Sequence, residues 1–225
     1  MKRPQFIEEQ VYHIYNRGVE KRKIFLHEKD YLRFVANLCE FNSATPVSNP
    51  HRQLFEVRLQ TKSTDPLIEI LSFCLMPNHY HLMVRQKTEN GITEFMRKLG
   101  TGYTNYFNLK YTRVGPLFQG KFKAILLEQE GHLTHLPHYI HLNPLDLTMP
   151  EWREQKVRDP RQALKTLAAY RWSSLSDYLG RKNFPAIIDQ TFLNECIGGP
   201  KDFLQRMFEW LHLMNFDLIQ NVMLE

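Results

Sequence analysis

An α+β fold is the prediction for this chain: a ferredoxin-like antiparallel sheet with helices on one face, followed by a helical C-terminal extension. Three observations make it. Segments of two-residue and 3.6-residue apolar periodicity follow one another in the order β, α, β, β, α, β. A β-prone run from Leu67 to Val84 is interrupted by Pro77-Asn78, which reads as a hairpin. Beyond Pro144 the strand-like runs cease and amphipathic helical ones take over. The boundaries that follow are 1–145 for the main domain and 146–225 for a linker with the extension.

Taken in order, Val11 to Tyr15 reads as the first strand, and Arg17, Lys21, Arg22 and Lys23 follow in a loop suited to phosphates. His27 to Phe41 places Tyr31, Phe34, Val35 and Leu38 on one side of a helix. Residues 42–52 are polar with two prolines, a connector, and Leu54 to Leu59 reads as a further strand with 61–66 as its turn. Leu67 to Leu75 and the strand after Asn78 form the hairpin. Gly91 opens a helix reaching about Leu109, whose residues Ile92, Phe95, Met96, Leu99, Tyr103, Tyr106 and Phe107 keep helical spacing. Gly120 to Leu127 returns as a strand. Glu130 to Leu142 is helical and Asn143-Pro144 stops it, because a residue before proline is pushed away from helical geometry. The charged stretch 144–161 reads as a linker, and 163–179 and 201–213 as helices. On this arrangement the sheet face away from the helices is open to a ligand.

Composition narrows the class. The chain has 225 residues, 43% of them hydrophobic, enough for a core, and no apolar run approaches the length of a membrane span. The Met1-Lys2-Arg3-Pro4 start lacks the apolar stretch of a signal peptide. Cys39, Cys74 and Cys196 are scattered and odd in number, which argues against a disulfide framework or a cysteine zinc site and points to a reducing cytoplasm. The net charge of +5 is unevenly spread: residues 1–125 hold 19 Lys+Arg against 11 Asp+Glu, while 126–225 hold 10 against 13. A basic first half is what nucleic-acid backbone binding requires, although a solvated basic surface gives the same count.

The chemistry is concentrated in Met76-Pro77-Asn78-His79-Tyr80-His81-Leu82-Met83-Val84. Alternate side chains of a strand share a face, so His79 and His81 stand together with alpha carbons roughly 6.5 Å apart, close enough to converge on one metal ion. Two strand histidines satisfied by neighbouring carbonyls are the ordinary alternative. A second element lies far away at His138-Tyr139-Ile140-His141-Leu142-Asn143-Pro144. Tyr139 and Asn143 are four apart on the helix and point the same way, a phenol able to act as nucleophile and an amide oxygen able to coordinate a cation. Their alternatives are a core aromatic and a helix-stop residue.

Together these pieces carry a resemblance. His79-Tyr80-His81 after Met76-Pro77-Asn78, with Tyr139-Ile140-His141-Leu142-Asn143-Pro144, resembles the HUH-type single-tyrosine transposases, nearest to the REP-associated tyrosine transposases. Tyr12-His13-Ile14-Tyr15-Asn16-Arg17-Gly18, Gly115 to Lys123, and Tyr170-Arg171-Trp172-Ser173-Ser174 through Gly180 match in the same order. The resemblance implies His79 and His81 as metal ligands, Tyr139 as nucleophile, and Asn143 as the polar residue completing the metal site, where some members have Gln. Lys121 and His138 stand where arginine is common in the family. The implied activity is cleavage and rejoining of single-stranded or hairpin DNA through a 5′-phosphotyrosine, with a divalent ion, Mg²⁺ or Mn²⁺, polarising the phosphate. The histidine pair suits Zn²⁺ as well. The implied partner is DNA with no membrane, and both monomers and homodimers fit the family.

Arg17, Lys21, Lys121 and Lys123, with Phe118, are the candidate DNA contacts. The Phe118-Gln119-Gly120-Lys121-Phe122-Lys123 stretch interleaves aromatic and basic groups, as base stacking with phosphate neutralisation requires. A strand edge with Phe118 and Phe122 buried reads equally well. His132 and His135 fall near the Tyr139 face, where capping or solvated roles compete with a helical zinc site. Two other functions share these residues: a binding-only module for hairpin DNA or RNA, and a histidine-based metal hydrolase, against which the basic first half argues.

Overall fold

A computed structural model describes residues 3–44 and 64–213 of the chain. The strand expected at Leu54–Leu59, with most of the connector and turn around it, lies outside those residues. The elements are β1 (Val11–Arg17), a 3-10 turn (Val19–Lys21), α1 (Glu28–Glu40), β2 (Ile68–Met76), β3 (His79–Gln86), α2 (Gly91–Lys110), β4 (Lys123–Leu126) and α3 (Glu130–Leu142). Two 3-10 turns (Asn143–Leu147 and Pro150–Glu154), α4 (Pro160–Ala169), α5 (Leu175–Tyr178), α6 (Thr191–Ile197) and α7 (Pro200–Leu213) follow. Among the described residues the strands form one antiparallel sheet in the order β2-β3-β1-β4, the ferredoxin-like arrangement.

Register follows from alternation. Tyr12 opposite Val84, Ile14 opposite Leu82 and Asn16 opposite Tyr80 turn one set of side chains toward α1 and α2. There Phe34 meets Tyr80 and Tyr103 at ring centroids of 5.1 and 4.9 Å, and the Tyr103 hydroxyl donates to the Ile24 carbonyl at 2.6 Å. Deleting such a buried ring costs about 3–5 kcal/mol. Asp30 ties α1 to α2: it accepts from the backbone N–H of Leu26 and His27 and from Tyr106, Tyr111 and Lys110. Burial pushes its carboxyl upward, but these donors prevail and hold it at about 2. The helices on one face are thus in place.

The opposite face is not open along its length, as the sequence reading had it. α3 lies over β2 and β3, and His13, His81 and Met83 on that face have no exposed surface. The free edge of β2 is covered as well. Leu75 N–H donates to the Trp172 carbonyl at 2.8 Å and Ser174 N–H to the Phe73 carbonyl at 3.0 Å, and farther along Asp189 N–H donates to Ile70 at 2.8 Å. Sealing an edge in this way removes a template for strand addition. It also interrupts the helix expected over 163–179: α4 ends at Ala169, the chain turns at Arg171-Trp172 and bridges Cys74 of β2 at Ser173, and α5 begins at Leu175. The Ser174 hydroxyl explains the break, because it takes the Phe73 N–H at 2.9 Å and lies 2.7 Å from His141 Nε2. The stretch read as a linker, 144–161, forms two 3-10 turns around a fully buried Trp152.

Candidate functional site

The two histidines of β3 stand on the face covered by α3, on a central strand and at the end of the sheet where β1 and β2 also finish. His79 and His81 have ring centroids 5.0 Å apart with planes at 83°, and the Tyr139 ring meets His81 edge-on at 6.1 Å. Pairing brings Arg17 opposite His79 and Tyr15 opposite His81. The surroundings are polar: Arg17, Asp146 and Arg153 all act electrostatically on His79.

Each imidazole has one nitrogen engaged. Asn78 donates its amide to the Lys21 carbonyl at 3.2 Å, which turns Oδ1 toward His79 Nδ1 at 2.7 Å. An amide oxygen only accepts, so Nδ1 carries the proton and Nε2 presents a lone pair. His81 Nδ1 lies 3.0 Å from His13 Nε2. Its own Nε2 is buried and finds no hydrogen-bond partner among the described residues. An unpartnered buried imidazole nitrogen beside a second imidazole whose tautomer is set by an amide is compatible with a metal-ligating pair, although His132, His138 and His141 each bury an unpartnered ring nitrogen too. Burial, then Arg17, pushes His79 down to about 4, with Asp146 acting the other way. Burial, then His79, His13, Arg153 and Arg17, drives His81 well below the usual imidazole range. Both are neutral at pH 7, the form that binds metal. Among the described residues no group of three or more His, Cys, Asp or Glu side chains could hold a metal ion.

Tyr139 and Asn143 sit at the C-terminal end of α3, which keeps its helical course through Pro137. The Asn143 amide donates back to the carbonyls of Tyr139 (2.9 Å) and Ile140 (3.2 Å) and turns Oδ1 outward, onto Arg153 Nη2 at 3.1 Å. Arg153 Nη1 lies 3.5 Å from the Tyr139 hydroxyl. Asp146 holds the guanidinium through Nε (2.8 Å) and Nη2 (2.7 Å). Burial works against the Arg153 charge, but Asp146 and Tyr139 raise its pKa, so it is a fixed cation.

Beside this centre a cleft of about 250 Å³ opens at the β1–β4 end of the same face, lined by Tyr15, Asn16, Arg17, Gln119, Gly120, Lys121 and Lys123. Gly18 allows it to form: a Cβ there would stand 2.3 Å from the Arg22 carbonyl oxygen, so only glycine lets the chain turn closely after Arg17. Asn16 reaches the Gly120 carbonyl at 3.1 Å and Gln119 N–H reaches that of Arg17 at 2.8 Å, locking the two walls together. Lys123 lies over the Tyr15 ring at 5.9 Å. Lys21 is exposed on the neighbouring 3-10 turn and is not among the lining residues. Phe118 is the correction. It is buried, with its ring 5.8 Å from Tyr80 and 6.5 Å from Tyr103, so it belongs to the core beneath the helices and offers no face to a base.

Four further residues of this centre were not singled out from the sequence: His13, Asn78, Asp146 and Arg153. A polar residue at a buried alternation position of β1 was the available signal for His13. Asp146 and Arg153 lay within a charged stretch that gave none. Three of the four histidines of α3 face elsewhere: His138 and His141 pack against Phe203 (4.6 and 5.7 Å), and His135 accepts from Trp210 at 3.0 Å, while His132 is buried. Among the described residues no helix is long and apolar enough to cross a membrane.

Residues 8–143 match the family model described as Transposase IS200 like. A solved structure of a REP-associated tyrosine transposase bound to a REP hairpin superposes with a TM-score of 0.51, covering 85% of this chain and 93% of that one at 12% identity. Among curated proteins no match is found.

Proposed function

Because this chain belongs to the IS200-like transposase family, we propose that it is a metal-dependent single-tyrosine endonuclease and strand-transferase for single-stranded or hairpin DNA. The observation that carries the reading is the convergence of His79, His81 and Tyr139 around one buried point, with His81 between the other two. It is supported by the basic cleft beside them, which tracks a phosphate backbone as Arg17, Lys121 and Lys123 would. The likeness in fold to a transposase solved on a hairpin suggests the DNA form.

In this mechanism the cleft residues hold the strand and bring one phosphate to the Tyr139 hydroxyl. The phenol oxygen attacks phosphorus as its proton leaves, and the bond to the 3′-oxygen breaks. That oxygen takes up a proton, leaving a 5′-phosphotyrosine and a free 3′-hydroxyl. The phosphodiester energy is kept in the covalent bond, so a 3′-hydroxyl can reverse the step and rejoin a strand. His79 and His81, with Asn143, would hold a divalent ion, Mg²⁺ or Mn²⁺, which when bound neutralises charge on the phosphate. Asn78 and His13 orient the two imidazoles, and Arg153 places positive charge at the nucleophile.

One observation favours the binding-only alternative: Tyr139 is fully buried beneath Trp152 and Arg153. A denaturing gel separates the two. Wild type incubated with Mn²⁺ and a hairpin bearing a single-stranded flank should give a covalent protein–DNA band, and Tyr139→Phe should give none while binding the hairpin equally well. Hairpin binding without any adduct would favour the alternative.

A further inference from the structure

Arg153 lies beyond the family-matched segment 8–143, yet its guanidinium spans the site. Nη2 donates to Asn143 Oδ1 at 3.1 Å and to Asp146 Oδ2 at 2.7 Å, Nε donates to Asp146 Oδ1 at 2.8 Å, and Nη1 stands 3.5 Å from the Tyr139 hydroxyl. The neighbouring Trp152 fixes the arrangement from behind. Its indole N–H donates to the same Asp146 Oδ1 at 2.7 Å, and the guanidinium lies over its ring at 4.6 Å. A forked contact of this kind to a carboxylate orients the donor as well as binding it.

The position of this charge bears on the ion. Asn143 turns its amide nitrogen into the helix and has one oxygen to offer, and that oxygen is held by Arg153. A divalent cation taking the same oxygen would have to displace the guanidinium from it, and would meet at hydrogen-bond distance a positive charge that Asp146 offsets in part. We infer that Arg153 is an internal cation competing with the divalent ion for Asn143, so that the ion site is completed only when the guanidinium is drawn off Oδ1. This rests on the proposed function, which gives Asn143 and the histidine pair to the ion. Linkage makes the competition reciprocal: whatever draws Arg153 away strengthens ion binding. A DNA phosphate has the geometry to do so, because the guanidinium fork fits phosphate as it fits carboxylate. The same residue would then couple arrival of the strand to assembly of the metal site.

The test is Mn²⁺ affinity of the full chain without DNA, read by the electron paramagnetic resonance signal of free Mn²⁺, for wild type, Arg153→Met, Arg153→Lys and His79→Ala. Arg153→Met keeps a stem of similar length without charge and should bind Mn²⁺ at least about tenfold more tightly than wild type, about 1.4 kcal/mol. Arg153→Lys keeps the charge without the fork and should fall between the two. It carries the test if thermal unfolding shows that the Met variant does not fold. Mn²⁺ binding by Arg153→Met or Arg153→Lys that equals or falls below wild type overturns the inference. If that happens while His79→Ala abolishes binding, only the role of Arg153 is lost. If His79→Ala binds Mn²⁺ like wild type, the ion site is misplaced and both readings fall.

Discussion

Replacing Asn78 with alanine removes two hydrogen bonds, one to His79 and a solvent-exposed one to the Lys21 carbonyl, and neither touches the nucleophile or the basic cleft. Asn78 Oδ1 lies 2.7 Å from His79 Nδ1, and its amide nitrogen is anchored 3.2 Å from the Lys21 carbonyl. A hydrogen bond of this kind is worth about 0.5–1.5 kcal/mol net, which sets the loss of folding stability at about 1 kcal/mol. The effect on ion binding should exceed that. Without the acceptor the imidazole proton can move to Nε2, the nitrogen the ion needs, and the ring can turn. Groups that orient a metal-bound histidine typically contribute 10–100-fold in affinity, so Asn78→Ala should weaken Mn²⁺ binding by about tenfold or more. Asn78→Asp keeps an acceptor for His79 Nδ1 but gives up the donor to the Lys21 carbonyl that orients it, and should recover part of the lost affinity. Isothermal titration with Mn²⁺ on folded protein, with urea unfolding for stability, measures both effects. If Asn78→Ala binds Mn²⁺ as tightly as wild type, His79 is not held in a ligand tautomer by Asn78 and the reasoning fails.

Substituting Arg17, Lys121 and Lys123 together by glutamine should weaken hairpin binding and lower the slope of log affinity against log salt by about 2–3, since each phosphate contact contributes about 0.7–0.9; an unchanged slope places the strand on another surface. Phe118→Ala should cost about 3–5 kcal/mol of stability in urea unfolding, as a core ring does, with hairpin affinity of the folded variant at low temperature unchanged. A base-stacking role requires the reverse pattern. Stability should also fall with acidification. His79 and His138 are held at about 4, His141 at about 3 and His81 well below its usual range, each chiefly by burial. The unfolded chain, with imidazoles near 6.5, binds more protons in this window. The contribution is therefore complete above about pH 6.5 and lost as the pH falls toward 4. At pH 5 His79 and His138 would each have lost about 2 kcal/mol. Urea midpoints at pH 7 and pH 5 check the sign, and equal or greater stability at pH 5 contradicts it.

How far the sequence could be read depends on the range of the forces involved. The helix Glu130–Leu142 and the hairpin around Pro77-Asn78 were legible because periodicity and a turn are local, but the stop at Asn143-Pro144 works otherwise than expected: Asn143 keeps helical geometry and the chain tightens into a 3-10 turn over Asn143–Leu147. The pairing of His79 with His81 on one face followed from the two-residue period of a strand. His13 could not be placed, because its approach to His81, 68 positions away, depends on the register between β1 and β3, which the sequence does not reveal. Trp172-Ser173-Ser174 fell within a segment of helical spacing, yet it pairs with β2 because the Ser174 hydroxyl satisfies a backbone N–H there. Arg153 and Asp146 looked like solvated charge. Their roles arise from Trp152, whose burial folds that turn onto Tyr139 and Asn143. Phe118 carried two signals at once, and the neighbouring rings of Tyr80 and Tyr103 decided for the core.

The central claim is that Tyr139 becomes joined to the 5′ end of cleaved DNA, and locating the bond tests it most directly. Wild type would be incubated with Mn²⁺ and a hairpin labelled at either its 3′ or its 5′ end, digested with trypsin and nuclease, and the adduct mapped by mass spectrometry. The expected result is a 3′-labelled fragment that travels with the protein, a 5′-labelled fragment that is released with a free 3′-hydroxyl, and a nucleotide phosphate on the peptide containing Tyr139. Cleavage by Tyr139→Phe at the wild-type rate, or an adduct carried on another residue, would contradict the account.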